Sequence, residues 1–371
     1  MFYFLIRTRP KASFFSAPDA DIVFRPAVER FTGRVFQLPA AKFFPRHVAL
    51  LAGLRGLLAP GELVPHAHTL HNARRAHLAE RSPAQGEVEL VGALEALLWE
   101  AAVLALFGAP LQPRFRAARR TLLAALRVSL TEGDFDGTVA GRLLEAAGMP
   151  PSAAPNCLLA VLWASLANTV PGAFWAVAFL LLPENARHRA VEALPGVVCR
   201  ARARVHCMGL TSAGASLDLE ALLAAVADKR SALARCVAEA LRLRAPGVDV
   251  RAAARDLALP AGDCRHVIVH QGEVLAVSPY ESHMDERLFG PNAAAYDPDR
   301  RALRLGDGSV PGVGGLPGLV FGGGRYRCRG RAFAEAELAL VVAVLLSTFE
   351  MRLADRPPTP AGINDSHDGC L

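Results

Sequence analysis

The segment Phe321-Gly322-Gly323-Gly324-Arg325-Tyr326-Arg327-Cys328-Arg329-Gly330-Arg331 decides how this chain is read. A cysteine closes a glycine-rich loop, and the apolar stretch 331–349 follows directly with the pattern of a helix. A thiolate placed there sits at a helix N-terminus, where backbone N–H groups and the helix dipole favour an anion. The glycines let a flat ligand approach the backbone, and the arginines offer charge for carboxylates. Those are the requirements of a haem with an axial thiolate.

Working outward, the 371 residues are 52% apolar and only 20% charged, which excludes a disordered chain, a collagen-like repeat and a coiled coil. The net charge of +6 is almost entirely arginine, since Lys11, Lys42 and Lys229 are the only lysines. These arginines are dispersed and not interleaved with aromatics, so nucleic acid is not an expected partner. Seven cysteines at irregular spacing, without a CxxC, argue against a disulfide framework and a structural zinc site. The apolar start at residues 1–6 is too short for a signal core or a membrane span.

Most of the chain reads as helix. Residues 48–58 form a short helix after Phe43-Phe44-Pro45-Arg46-His47. Residues 61–110 are helical with a broad apolar face over 88–107, and 114–144 form charged surface helices. From Cys157 to Leu182 no residue carries a charge. That length crosses a bilayer, but Ser165, Asn168, Thr169 and Pro171-Gly172 favour a buried helix, kinked at a polar notch. Helices follow at 184–194 and 217–244, short strands within 251–278, and an irregular Gly/Pro/Asp-rich stretch at 286–317. The fold class is mainly α with minor β.

Other chemistry finds little support. His66, His68, His71 and His77 cluster without the carboxylate or cysteine spacing of a metal shell. The glycine-rich stretch 306–324 lacks both GxGxxG and GxxxxGK[ST], and no GxSxG occurs.

Phe321, Gly324, Cys328 and Gly330 match the FxxGxxxCxG haem loop of the cytochrome P450 family, which the chain resembles from about residue 14 to its end. Glu239-Ala240-Leu241-Arg242 matches the family's ExxR, and Asp297-Pro298-Asp299-Arg300 its PERF-like segment, in the right order. The run 162–175 resembles the central helix of the family's sterol 7α-hydroxylase and prostacyclin synthase clan. Leu241-Arg242-Leu243-Arg244-Ala245-Pro246-Gly247-Val248, with Arg251, is similar to oxysterol 7α-hydroxylases. The resemblance implies one P450 domain over residues 1–371, incomplete at its N-terminus and cut short at its C-terminus. It implies a central helix at 156–183, an ExxR helix at 231–244 and a haem loop at 321–331.

It also implies residue roles. Cys328 would be the thiolate ligand of the haem iron, within a loop shaped by Phe321, Gly324 and Gly330. Asn168 and Thr169 would sit in the oxygen-binding notch and position protons. Arg251 would pair with a haem propionate. Tyr326 stands where the family usually has Arg or His, so Arg325 or Arg327 beside it would take over that contact. On the helix that faces this end of the haem, His47, Arg46 or Arg55 could serve. Glu239, Arg242 and Arg300 would form a buried ion-pair network. Ala245, Val248 and Ala164 would line an apolar pocket. The implied activity is sterol or oxysterol hydroxylation with O2 and electrons from an NADPH-cytochrome P450 reductase docked on Arg325, Arg327, Arg329 and Arg331. The setting would be the endoplasmic reticulum membrane. Two alternatives stay open: a prostacyclin-synthase-like peroxide isomerase, which the Asn168 notch also permits, and an inactive truncated haem protein.

Overall fold

The computed structural model describes residues 2–4, 14–58, 68, 72, 90–108, 119–182, 184–185, 228, 231–244, 247–262, 265–300, 319–348, 351 and 353. His66, His71, His77, Ala245 and the stretches 186–227 and 301–318 lie outside them. Among the described residues, no three His, Cys, Asp or Glu side chains form a group able to hold a metal ion.

Helices dominate. They are α1 (Arg25–Phe36), α2 (Ala40–Leu57), α3 (Leu90–Phe107), α4 (Arg119–Glu132), α5 (Val139–Ala146), α6 (Ala154–Leu166), α7 (Thr169–Leu181) and α8 (Ala232–Arg244). Short helices α9 (Pro279–His283) and α10 (Glu286–Phe289) precede the last, α11 (Arg331–Thr348). The strands are β1 (Phe2–Phe4), β2 (Ile22–Val23), β3 (Asp249–Ala253), β4 (Leu257–Gly262), β5 (Arg265–Val269) and β6 (Val274–Val277). One sheet runs β1-β6-β3-β2, with β1 parallel to β6 and the other pairs antiparallel; β4 and β5 form a separate hairpin.

The charge-free run supplies the centre. Helix α7 packs against α3, α8 and α11, and Ala173, Val177 and Ala178 are fully buried there. A helix apolar on every side belongs inside a large core. Small residues let the neighbours close in: a methyl on Gly172 would lie 3.1 Å from Leu241 and 3.4 Å from Leu338. Among the described residues, two helical runs, Leu90–Phe107 and Ala154–Leu181, are long and apolar enough to cross a membrane, with 61% and 50% of their apolar windows buried inside the protein.

The kinked helix expected over 156–183 has this form in the structure. It is two helices spanning 154–181, interrupted by a turn at Ala167-Asn168. Pro171 explains the position, because it cannot donate to the carbonyl of Ala167 and its ring collides with it. The short helix expected at 48–58 is likewise longer, beginning at Ala40 and carrying Pro45 inside it. Nor are the helices of 114–144 merely superficial: Leu122, Leu126 and Leu143 are fully buried.

Gly172→Val is expected to destabilise the chain by roughly 1–3 kcal/mol through overpacking between α7, α8 and α11. Urea denaturation checks this, with Gly33→Ala, where nothing lies within 4 Å of an added methyl, as the reference.

Candidate functional site

Helix α8 places Glu239 and Arg242 one turn apart, both buried, at 6% exposure each. Arg242 grips the Glu239 carboxylate with two hydrogen bonds of 2.8 Å, and Arg300 Nε donates to the same carboxylate at 3.2 Å. The backbone N–H of Asp297 adds a bond at 3.1 Å. One carboxylate cannot neutralise two guanidinium groups, so carbonyl oxygens complete the cage. Arg242 donates to His283 and Ala295, and Arg300 to Phe289, Asn292 and Ala295. The structure thus brings Glu239, Arg242 and Arg300 together.

The cage leads to the cysteine loop. The His283 ring, fully buried, accepts a hydrogen bond from Leu319 N–H through Nε2 at 2.7 Å. Gly322 N–H donates to Leu319 O, and Cys328 N–H donates to Phe321 O at 2.9 Å. Gly324 has φ +65, in the left-handed region that suits glycine, and a side chain there would strike the backbone of Phe15. A methyl on Gly323 would lie 2.7 Å from the Phe15 ring. Arg331 stacks over Phe321 and pairs with Glu335 at 2.7 Å.

Of the described cysteines, Cys157 and Cys236 are buried and Cys328 is exposed. Burial pushes the Cys157 thiol up to about 12, which makes it inert. The loop around Cys328 partly desolvates its sulfur and raises that thiol too. The Gly330 N–H bonded to the sulfur and the Arg329 charge oppose the rise by favouring the thiolate.

Strand β3 carries a buried cation beside this loop. Arg251, 4% exposed, has Phe14, Phe24 and Tyr326 rings 5.2, 5.0 and 4.7 Å from its guanidinium. Its guanidinium donates to Val250 O, and among the described residues it forms no ion pair. His47 stacks on Phe24 at 5.9 Å, and burial lowers its pKa. An exposed thiol at a helix start, a glycine cradle and a buried cation with no ion pair among the described residues fit a porphyrin with carboxylate side chains and an iron that takes a sulfur ligand.

Other expected residues fall less simply. Thr169 is buried, while Asn168 and Ala164 are exposed; Asn168 stands at the start of α7 without making a side-chain cap. Val248 is 39% exposed. Arg325, read as a propionate partner, is bound to Asp19 at 2.9 Å and to Ala17 O at 3.1 Å. Arg327 is half-buried, with no ion pair among the described residues. Arg46 bonds to the backbone at Gly148 and Lys42.

Three features escape sequence reasoning. Tyr326 donates to Asp19 at 2.9 Å across more than three hundred residues, and Phe15 fills the glycine cradle. Asp249, two residues before Arg251, is the third. Burial pushes its carboxyl up to about 6 against the opposing pull of Arg251. Only strand alternation, which puts residues 249 and 251 on one face, could have hinted at it.

Residues 156–364 match the family model described as Cytochrome P450. A Mus musculus protein named 24-hydroxycholesterol 7-alpha-hydroxylase is 31% identical over 206 residues, 55% of this chain and 38% of that protein. Its Homo sapiens namesake is 29% identical over 55% of this chain and 39% of that protein. A Cricetulus griseus protein named Cholesterol 7-alpha-monooxygenase is 27% identical over 53% of this chain and 38% of its own length. The chain thus spans well under half the length of these relatives.

Glu239→Gln leaves two buried guanidinium groups short of their counter-charge and should cost about 3–5 kcal/mol in urea denaturation. Arg235→Ala, which removes an exposed pair with Asp299, should cost less than about 1 kcal/mol. Folded Asp249 holds its proton more tightly than the unfolded chain does, so its contribution is lost as pH rises from 3.8 to about 6. Asp249→Asn should therefore stabilise the chain at pH 7.5, by up to about 3 kcal/mol, and have little effect below pH 4. Unfolding measured at both pH values checks the sign.

Proposed function

The chain belongs to the cytochrome P450 family, and we propose that it is a haem-thiolate monooxygenase that hydroxylates a sterol-like molecule. The family's cofactor is haem held by a cysteine thiolate. The observation that carries the reading is the Cys328 loop itself: an exposed sulfur bonded to the Gly330 N–H, at the foot of α11, beside the caged Arg251. The substrate class follows from the printed names of the similar proteins, which concern cholesterol and 24-hydroxycholesterol.

When bound, haem supplies dioxygen activation and oxidation of a substrate C–H bond. The residues of the chain do the rest. Cys328 holds the group as a thiolate, and the Gly330 N–H tempers the charge on its sulfur. Arg251 is already ordered and desolvated, so a carboxylate reaching it forms a strong, oriented ion pair. Asn168 presents an exposed amide at the break between α6 and α7, and the buried hydroxyl of Thr169 lies next to it. Together they orient water and hold protons at the notch. An amide can donate and accept hydrogen bonds but cannot act as an acid, so proton delivery there runs through Thr169 and water.

Electrons come from an NADPH-dependent reductase that docks on the basic face around the loop. Arg325 on that face is exposed and pairs with Asp19, Arg331 pairs with Glu335, and Arg327 and Arg329 are half-buried. Association with the endoplasmic reticulum membrane goes with this chemistry and this substrate class.

Reduced protein exposed to carbon monoxide is expected to show the red-shifted Soret band of thiolate ligation, and Cys328→Ala to abolish it. Haem taken up with no such band, or a band unchanged by the substitution, would remove Cys328 from this role.

A further inference from the structure

Arg244, the last residue of α8, stands two positions after the caged Arg242 and shares none of its partners. Its guanidinium lies over the Trp175 and Phe179 rings of α7, 4.7 and 5.3 Å from their centroids. Nη1 donates to Leu243 O at 2.9 Å. Nε is buried and has no hydrogen-bond partner. The indole Nε1–H of Trp175, a residue 4% exposed, is buried and unpartnered too. Two N–H donors without an acceptor thus border one small space, because the indole N–H belongs to a ring that the guanidinium covers. Each such orphan costs free energy and calls for an explanation. The end of a helix suits a cation, but the helix dipole gives neither donor an acceptor. Nor is a carboxylate at hand. Among the described residues Arg244 forms no ion pair, and the group that opposes its desolvation is the Tyr280 phenol of α9.

We propose that Arg244 and Trp175 form a binding site for the carboxylate of a small organic acid. Ring stacking uses the face of the guanidinium, and Leu243 O uses one of its terminal nitrogens. The edge formed by Nε and Nη2 meets no acceptor among the described residues. That edge takes a planar carboxylate through two parallel N–H···O bonds. The indole N–H supplies a third donor to the same anion. A monoanion balances the single guanidinium, whereas sulfate or phosphate would carry excess charge into a half-buried place. Arg244 is only half-buried, so the site is reached from solvent, while the depth of Trp175 admits a narrow ligand and not a peptide. Helices α7 and α8 pack directly on each other, so an occupant held by both ties two core helices together and stabilises the folded chain by mass action. The proposal stands apart from the sterol reading and uses none of the residues assigned to the haem.

The test follows thermal unfolding of the full chain, with sodium chloride replaced by acetate, propionate or sulfate at constant pH and ionic strength. Acetate and propionate should raise the midpoint along a saturating curve. Arg244→Met keeps an apolar stem against the two rings, removes the charged fork and should abolish that saturating rise. Trp175→Phe keeps a ring face for Arg244 without the indole N–H, and should raise the half-saturating concentration about tenfold. An equal rise in the parent and in Arg244→Met overturns the proposal. So does the absence of a saturating rise in the parent, or one that sulfate produces and the two carboxylates do not. Where Arg244→Met does not fold, Trp175→Phe decides: a half-saturating concentration within about twofold of the parent's overturns the proposal.

Discussion

One carboxylate holding two arginines anchors the stretch 283–300 to α8. Glu239 is bonded to Arg242, Arg300 and the backbone of Asp297 at once, with all three side chains largely removed from water. Desolvating such charges costs nearly what their attraction returns, so the cluster is a weak source of net stability. Its value lies in geometry. Four carbonyl oxygens, those of His283, Phe289, Asn292 and Ala295, complete it through five hydrogen bonds. Tyr296, which follows Ala295, stacks on Phe179 and bonds to Cys236 O, which ties the cage to α7 and α8. From His283 the bonds continue through Leu319 and Phe321 to the backbone of Cys328. A local electrostatic cluster thus sets where a distant sulfur sits.

The aromatic enclosure of Arg251 is a second use of the same principle in a different medium. Three rings replace water around a guanidinium, and each ring face contributes about 0.5–2 kcal/mol when desolvated. No anion is consumed in doing so. The cation stays buried, ordered and able to accept a carboxylate. Phe14 and Phe15 belong to this enclosure through opposite duties, one covering Arg251 and the other seated on Gly323 and Gly324. The segment 14–16 and the cysteine loop are therefore shaped by each other.

What could be read from the sequence follows the range of the physics. Helices α3, α8 and α11 are plain in it, because a run of apolar or periodic residues needs only its neighbours to declare itself. The break at Ala167-Asn168 is equally local, since Pro171 forbids a bond four residues back. The start of α2 at Ala40 was obscured because Pro45 looks like a boundary, yet Pro39 and two alanines open a helix that carries the second proline inside. Glycines 323 and 324 signal a tight place, but nothing nearby says that Phe15 fills it. The isolation of Asp249 is less legible still. It depends on Arg251 being held elsewhere, and so on three aromatic residues far apart in the chain.

Tyr326 shows how such a departure is absorbed. A guanidinium at that position, itself half-buried, would stand beside the buried Arg251 and repel it. A phenol instead offers its ring face to Arg251 and its hydroxyl to Asp19, and Asp19 in turn draws Arg325 away from the cradle. The number of cations facing the cradle drops, while the one that remains is fixed more firmly. In the proposed haem-bound state a single preorganised arginine would then carry a contact that two mobile ones would otherwise share. Preorganisation favours that exchange: a side chain already ordered by three rings gives up little further entropy when the anion arrives.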